Sequence, residues 1–350
     1  MAEHPTTVSP GQDPQAEPKG ELTIELKGVR KTFADSRKGE SVNVLDGLDL
    51  RLSNSGAGKL VVLLGPSGCG KSTTLNLISG LMTPDPSGGE IRVNGELLAG
   101  PNPLSACVPQ AYTCFPWRTV LENVEFGLTL RHAPKQERRA EALSYLNKVG
   151  LGDRLNARPS QLSGGMQQRV AIARALVLRL PVVLMDEPFG ALDAQTRAEM
   201  QDMLLKLWRE EKNMIVFVTH DITEALLLAD QIVVFRQRPV RHVESFDLGF
   251  ARPRRTTDEA FTLCAEGMRY LLKPGVSDDE FRFCSGVLRG MLELRASEDE
   301  FAVYGRRFRQ VLETAATEAE RREGFERLAE LLRTPVAGKE AEAPEASAAQ

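Results

Sequence analysis

The 350-residue chain has no long apolar run. Stretches such as Leu60 to Leu64 and Pro181 to Met185 fall far short of the roughly 20 residues that span a bilayer, so the chain is not expected to cross a membrane itself. It is also short of surplus charge. With 44 basic against 48 acidic residues the formal net charge is −4, which gives no general pull towards a polyanion, and no basic patch suited to nucleic acid stands out. Cysteine is scarce: Cys69, Cys107, Cys114, Cys264 and Cys284 are odd in number and lack the paired spacing of a zinc site, and a reducing cytoplasm suits them best. The opening residues, MAEHPTTVSPGQDPQAEPKG, lack the apolar segment of a signal peptide or anchor. Residues 1–20 are polar and proline-rich and are expected to form a disordered tail, as are the Ala, Glu and Pro-rich residues 336–350.

What is present is a 42% hydrophobic composition, enough for one large domain and an appendage. From Glu21 to about Pro253, Val, Ile and Leu-rich runs alternate with helical patterns, which predicts strands joined by crossover helices. ELTIEL and GKLVVLLG read as strands, KSTTLNLISGLM as a helix, and PVVLMDEP and MIVFVTH as strands of a parallel sheet buried on both faces. Leu121 to Leu162 is charged and helical in pattern and predicts an all-helical subdomain inserted in this α/β core. The expected units are residues 21–256 and, after a change of texture, 257–335.

That second unit repeats. TTDEAFTLCAEGMRYLL, VSDDEFRFCSGVLRGML and ASEDEFAVYGRRFRQVL superimpose with a period of 20 residues, and a weaker copy begins at Thr317. Thr257, Ser277, Ser297 and Thr317 are equivalent, and Glu280, Glu300 and Glu320 complete capping boxes in three of the four. Phe261, Phe281 and Phe301 begin apolar stripes, predicting about four packed helices, although ordinary helix-pair chemistry could also generate such a period.

Chemistry concentrates in the first unit. Gly65-Pro66-Ser67-Gly68-Cys69-Gly70-Lys71-Ser72-Thr73 follows a predicted strand and opens a predicted helix, the setting of a phosphate-binding loop. Its glycines let backbone N–H groups turn onto the phosphates of ATP, Lys71 can reach the β and γ phosphates, and Ser72 offers a hydroxyl to Mg²⁺. Downstream, a buried strand ends in Asp186 and Glu187. Taken alone such acids could face solvent or cap a helix; with the loop upstream, Asp186 is expected to hold Mg²⁺ and Glu187 to polarise an attacking water.

A third element, LSGGMQQRVAIARAL from Leu162 to Leu176, makes the chain resemble the ATP-binding cassette family over roughly residues 21–253. The expected fold is therefore α/β: a P-loop NTPase core with a parallel sheet, an N-terminal antiparallel β part and an inserted helical subdomain, plus a C-terminal all-helical extension outside the family's common core. The resemblance implies that Ser163, Gly164 and Gly165 bind the γ-phosphate of an ATP held by an opposite subunit, most simply a second copy of this chain. It also implies that Gln110 touches Mg²⁺ and the attacking water, that His220 contacts the γ-phosphate and steadies Glu187, and that Asp193, in Gly190-Ala191-Leu192-Asp193, links the two sites across the seam. Phe33 sits where the family stacks an aromatic on adenine, or is a plain core residue.

FPWRTVLENV after Gln110, THDITEALLLADQIVVFRQRP and ARPRR are similar to importers of nitrate, sulfonates and taurine. That likeness implies a peripheral subunit on the cytoplasmic face of the inner membrane, gripping a permease through the Gln110–Trp117 region and served indirectly by a substrate-binding protein. Exposed Phe115 and Trp117 would suit such a grip, or could be packed inside. Another transport class, or a non-transport ATPase regulated by its extension, is the alternative. The extension could sense a metabolite, strengthen the dimer or bind another protein. Cys69, beside Lys71 and a helix start, is either a thiol of lowered pKa or a small residue that fits.

Overall fold

The computed structural model describes residues 21–35, 40–111, 114–236, 238–293, 298–315 and 317–333. The expected tails at 1–20 and 336–350, and the expected capping box of Ser297 and Glu300, lie outside the described residues or side chains.

Two sheets of unlike character form the body. In the first, β1 (Leu22–Asp35), β2 (Glu40–Asn54), β4 (Glu90–Val93) and β5 (Glu96–Leu97) pair antiparallel in the order β2-β1-β4-β5. The second contains β3 (Lys59–Leu64), β6 (Ser105–Val108), β7 (Val182–Asp186), β8 (Met214–Thr219), β9 (Gln231–Val234) and β10 (Glu244–Asp247). Its order is β10-β9-β3-β8-β7-β6, parallel except where β10 runs against β9.

The unbroken apolar runs follow from burial on both faces, since alternate side chains leave a strand on opposite sides. Leu60, Val62 and Leu64 of β3, with Ile215 and Phe217 of β8, join one core with the helices α4 (Gly164–Leu176), α5 (Ala194–Glu211) and α6 (Ile222–Leu228). Val61 and Leu63, with Val216 and Val218, join the other, against β1, β2 and α1 (Lys71–Ile78). Each such side chain, fully buried, stabilises the fold by about 1.5–3 kcal/mol relative to exposure. The helical insertion consists of α2 (Val120–Leu130), α3 (Lys135–Lys148) and α4 packed on one another. Its first helix opens on a capping box, in which Thr119 Oγ1 accepts from the Glu122 amide at 3.2 Å and the Glu122 carboxylate accepts from the Thr119 amide at 2.7 Å.

The repeat resolves into one helix per unit: α7 (Glu259–Leu271), α8 (Asp278–Glu293), α9 (Glu298–Thr314) and α10 (Glu318–Arg333). Ser277 with Glu280, and Thr317 with Glu320, close reciprocal caps. The first unit differs. Its N-cap is Asp258 rather than Thr257, and Ala260 stands where a box needs an acid, so the Asp258 carboxylate instead accepts from the Arg255 amide at 3.0 Å. Phe261, Phe281 and Phe301 are buried; the fourth unit has Arg321 at that position, paired with Glu280, and Phe325 fills the core instead. A Cβ at Gly267 would lie 2.9 Å from Leu288 Cδ2, so α7 and α8 approach closely there.

The bundle is fused to the body. Its α7 packs on α6 and its α8 on β10, and Phe246 and Leu248 belong to the same apolar cluster as Phe261, Leu263 and Leu288. Buried Arg254 clamps the junction, donating to the carbonyls of Leu226 at 2.7 Å and Ala229 at 2.6 Å, which otherwise end α6 unsatisfied. Burial, and then the neighbouring Arg252, push its pKa down to about 10, so it remains charged at neutral pH. Arg236 donates to Asp278 at 2.7 Å and to the Val276 carbonyl while lying over the Phe281 ring, and Arg289 joins α8 to Glu244.

Candidate functional site

The polar cluster sits at the carboxyl ends of the parallel strands, where the crevice of an open α/β sheet takes its ligands. After β3 the chain turns through Gly65–Thr73. A Cβ at Gly65 would come within 2.3 Å of the Phe235 carbonyl oxygen, and Gly70, at φ 112, caps α1 in a backbone state that other residues rarely adopt. Pro66, Ser67 and Gly68 are exposed at the tip, while Lys71 is buried beneath it. Its ammonium donates to the carbonyls of Gly65 and Pro66, each at 2.8 Å, and holds the loop in a curl.

Three strand ends converge on this loop. Ser72 Oγ donates to Asp186 Oδ1 at 2.8 Å, at the tip of β7. Burial raises the Asp186 carboxyl above its ordinary pKa, with the Ser72 hydrogen bond opposing. Glu187, next along, has φ 42, a left-handed conformation that costs on the order of 1 kcal/mol or more in a non-glycine residue. The turn is held by its amide donating to Val218 O at 3.0 Å and by the Gly190 amide donating to Glu187 O at 3.2 Å. Glu187 Oε2 lies 3.3 Å from His220 Nδ1, just past β8, and 3.5 Å from Gln110 Nε2, just past β6. One carboxylate is thus flanked by two side chains that can orient it and a water beside it.

Two oxygen donors, Ser72 Oγ and Asp186, face each other here, and no described group of three or more His, Cys, Asp or Glu forms a metal cluster. That donor set fits Mg²⁺, which keeps several waters and takes the rest of its shell from phosphate oxygens. A nucleoside triphosphate fits the loop as well, because a glycine-rich turn at a helix start beside the Lys71 ammonium suits an anion.

Other expected site residues are placed elsewhere. Ser163 Oγ accepts from the Met166 amide at 3.3 Å and caps α4, with Gly164 and Gly165 as the first residues of that helix. Asp193 caps α5, where the amide and hydroxyl of Thr196 hold its carboxyl below the ordinary value. No hydrogen bond joins Ser163–Gly165 or Asp193 to the phosphate loop among the described residues. Phe33 is 37% exposed and pairs with Val42 on β2, two residues before Val44, whose side chain abuts Gly70. That puts a partly exposed aromatic ring, with the Lys31 ammonium over it at 5.8 Å, on the strand pair that reaches Gly70.

Two alternatives that the sequence left open are narrowed by the structure. Cys69 does not have a depressed pKa: its side chain is buried, and burial outweighs the attraction of Lys71 and raises the thiol. N-ethylmaleimide at neutral pH is expected to leave Cys69 unlabelled, with or without ATP; rapid labelling of Cys69 in peptide mass spectra would contradict this. Phe115 is not exposed either. It is half-buried, edge-on to Phe126 at 4.7 Å and under the Arg174 guanidinium at 5.1 Å, and it supports Trp117, which is 68% exposed. Another set of residues beside the loop carries no sequence signal: Arg236, Arg238 and the α7–α8 turn at Leu272–Pro274 share a cavity with Pro66–Cys69.

Comparison with known proteins agrees with this geometry. The family described as ABC transporter matches residues 45–190. An uncharacterized ABC transporter ATP-binding protein of Methanocaldococcus jannaschii is 42% identical over 265 residues, 76% of this chain and 97% of its own length. The taurine import ATP-binding protein of Chromobacterium violaceum is 47% identical over 222 residues, covering 63% of this chain and 83% of that one. The bicarbonate transport ATP-binding protein of a Synechocystis strain is 40% identical over 247 residues, with 69% and 85% covered. Among solved structures, a dimeric post-hydrolysis state of an ATP-binding cassette bound to ADP and Pi superimposes with a TM-score of 0.54 at 34% identity, covering 63% of this chain and 97% of that one.

Proposed function

Since the chain belongs to the family of ABC transporter ATP-binding proteins, we propose that it is the ATPase subunit of an importer for a small anion, working as a pair of copies with ATP between them. The observation that carries the pairing is the position of Ser163. It opens α4 with its helix dipole and free amides, yet no hydrogen bond links it to the phosphate loop of its own chain. A second copy supplies what one copy lacks, Ser163 and Gly165 of one closing over the γ-phosphate held by Lys71 of the other. The dimeric, ADP-bound cassette of similar fold supports this reading.

In the reaction, the amides of Gly65–Thr73 and the Lys71 ammonium hold the phosphate tail, and Ser72 and Asp186 would hold Mg²⁺, which would supply charge neutralisation at the phosphates when bound. Glu187 accepts a proton from the water that attacks the γ-phosphorus, the bond to the β-phosphate oxygen breaks, and ADP leaves. His220 and Gln110 orient Glu187 and that water, and Asp193 ties the two sites together. Phe33 offers its partly exposed ring to adenine.

Trp117, standing on packed Phe115, offers an aromatic anchor to a permease helix, which would place the protein at the cytoplasmic face of the inner membrane. No described helix is long and apolar enough to cross a membrane, so the passage itself falls to that partner. A relative named for taurine import and one named for bicarbonate transport support a small anion as cargo. The test is ATP hydrolysis by the protein reconstituted with its permease and binding protein, against taurine, other sulfonates, nitrate and bicarbonate. One of these is expected to stimulate turnover; equal basal rates with all of them would reject the anion reading.

A further inference from the structure

The bundle reaches the phosphate loop. A cavity of about 480 Å³ lies between Pro66–Cys69 and the α7–α8 turn, with Arg236, Arg238 and Lys273 in its lining and no carboxylate. A neighbouring cavity of about 700 Å³ runs from Gly65–Ser67 and His220 to Arg269, Tyr270 and Lys273. Both sit on the seam between body and bundle, and both share the turn at Leu272–Pro274.

The charge of this seam is one-sided. Arg236 is neutralised by Asp278 and fixed over Phe281, so it positions the turn rather than serving a ligand. Glu266, the one carboxylate of the second cavity, is taken by Arg309 at 2.7 Å. Arg238, Lys273 and Arg269 have no ion pair and no side-chain hydrogen bond among the described residues, and all three are exposed. Leu271, Leu272 and Pro274 form an apolar wall beside two of them, which lowers the local dielectric and strengthens attraction for a counter-charge. Like charges brought to one wall repel until an anion joins them. Arginine matches an oxyanion with a planar fork and lysine with a point charge.

We propose that the seam between the phosphate loop and the C-terminal bundle is an oxyanion site, in which Arg238 and Lys273 take a phosphoryl, sulfonate or carboxylate group. Its occupant bridges the loop and the bundle and so links the extension to the state of the loop. The oxyanion has two sources, a free small anion or the terminal phosphate of the nucleotide on the loop; the second rests on the function proposed above.

The experiment uses the full chain, with sulfate as probe, by calorimetry at constant ionic strength. Protein saturated with a non-hydrolysable ATP analogue, so that the loop and its γ-phosphate position are both filled, is expected to bind sulfate saturably, and the double variant Arg238→Gln, Lys273→Gln to bind it at least tenfold more weakly with affinity for the analogue unchanged. If the nucleotide is the source, sulfate does not bind, and the double variant instead loses at least tenfold in affinity for ATP but not for ADP. Absence of both effects overturns the proposal, as does sulfate binding that the double variant retains. Should the protein bind no nucleotide, the nucleotide reading fails by itself, and sulfate titration of the free wild type against the double variant still reads the seam. Thermal unfolding of both proteins checks that the exposed substitutions leave the fold intact.

Discussion

Glu187→Gln is expected to lower ATP turnover by about 10²- to 10⁴-fold, the span of a lost general base, while ATP affinity is retained. The substitution keeps the volume and the reach of the side chain, so Gln110 and His220, at 3.5 and 3.3 Å, still have a neighbour to orient. What disappears is the capacity to take a proton, because an amide oxygen is far less basic than a carboxylate. The left-handed backbone at this residue is no worse for glutamine than for glutamate, so no loss of stability should accompany the loss of rate. Single-turnover hydrolysis with parallel nucleotide-binding measurements checks the split. A rate near wild type would remove Glu187 from its role, and lost affinity would place it in binding instead.

The second large effect is expected at Ser163. Replacement by aspartate preserves helix capping, since Asp accepts from the N3 amide as readily as Ser does, and the fold should be unharmed. It also puts a negative charge where the proposed pairing brings a γ-phosphate from the other copy. Turnover should fall by about 10²-fold or more, comparable to losing a donor to a developing anion, with ATP binding by the isolated chain untouched. Ser163→Ala is the complement: it loses a cap worth about 1 kcal/mol but adds no repulsion. If the Ala variant loses rate while the Asp variant, which keeps the cap, does not, capping and not phosphate contact explains Ser163. Combining Glu187→Gln with Ser163→Asp should also abolish the ATP-dependent dimer that Glu187→Gln alone accumulates, as light scattering would show.

Much of the site was readable because its chemistry is local in sequence. Gly65 and Gly70 are forced by backbone geometry within one turn, and the strand that ends in Asp186 and Glu187 is unmistakably apolar until its last residues. The capping boxes at Ser277 and Thr317 were legible for the same reason, each being closed within three residues. Longer-range effects were hidden. At Cys69 the sequence shows Lys71 two residues away but not the burial that outweighs it. At Phe115 it shows an aromatic beside Trp117 but not Phe126 and Arg174 folding over it. The seat of the bundle depends on Arg236, Arg254 and Arg289 reaching backbone or acid groups 25 to 45 residues away, and no periodicity marks such reach.

The change of composition near residue 256 would invite an engineer to cut there. Phe246, Leu248, Phe261 and Leu288 nevertheless belong to one undivided interior, with Arg254 stitched into the end of the preceding helix. Trimming the tail would therefore strip cladding from the motor and leave a greasy wound on its flank. Whatever the four helices do, the motor leans on the first two of them.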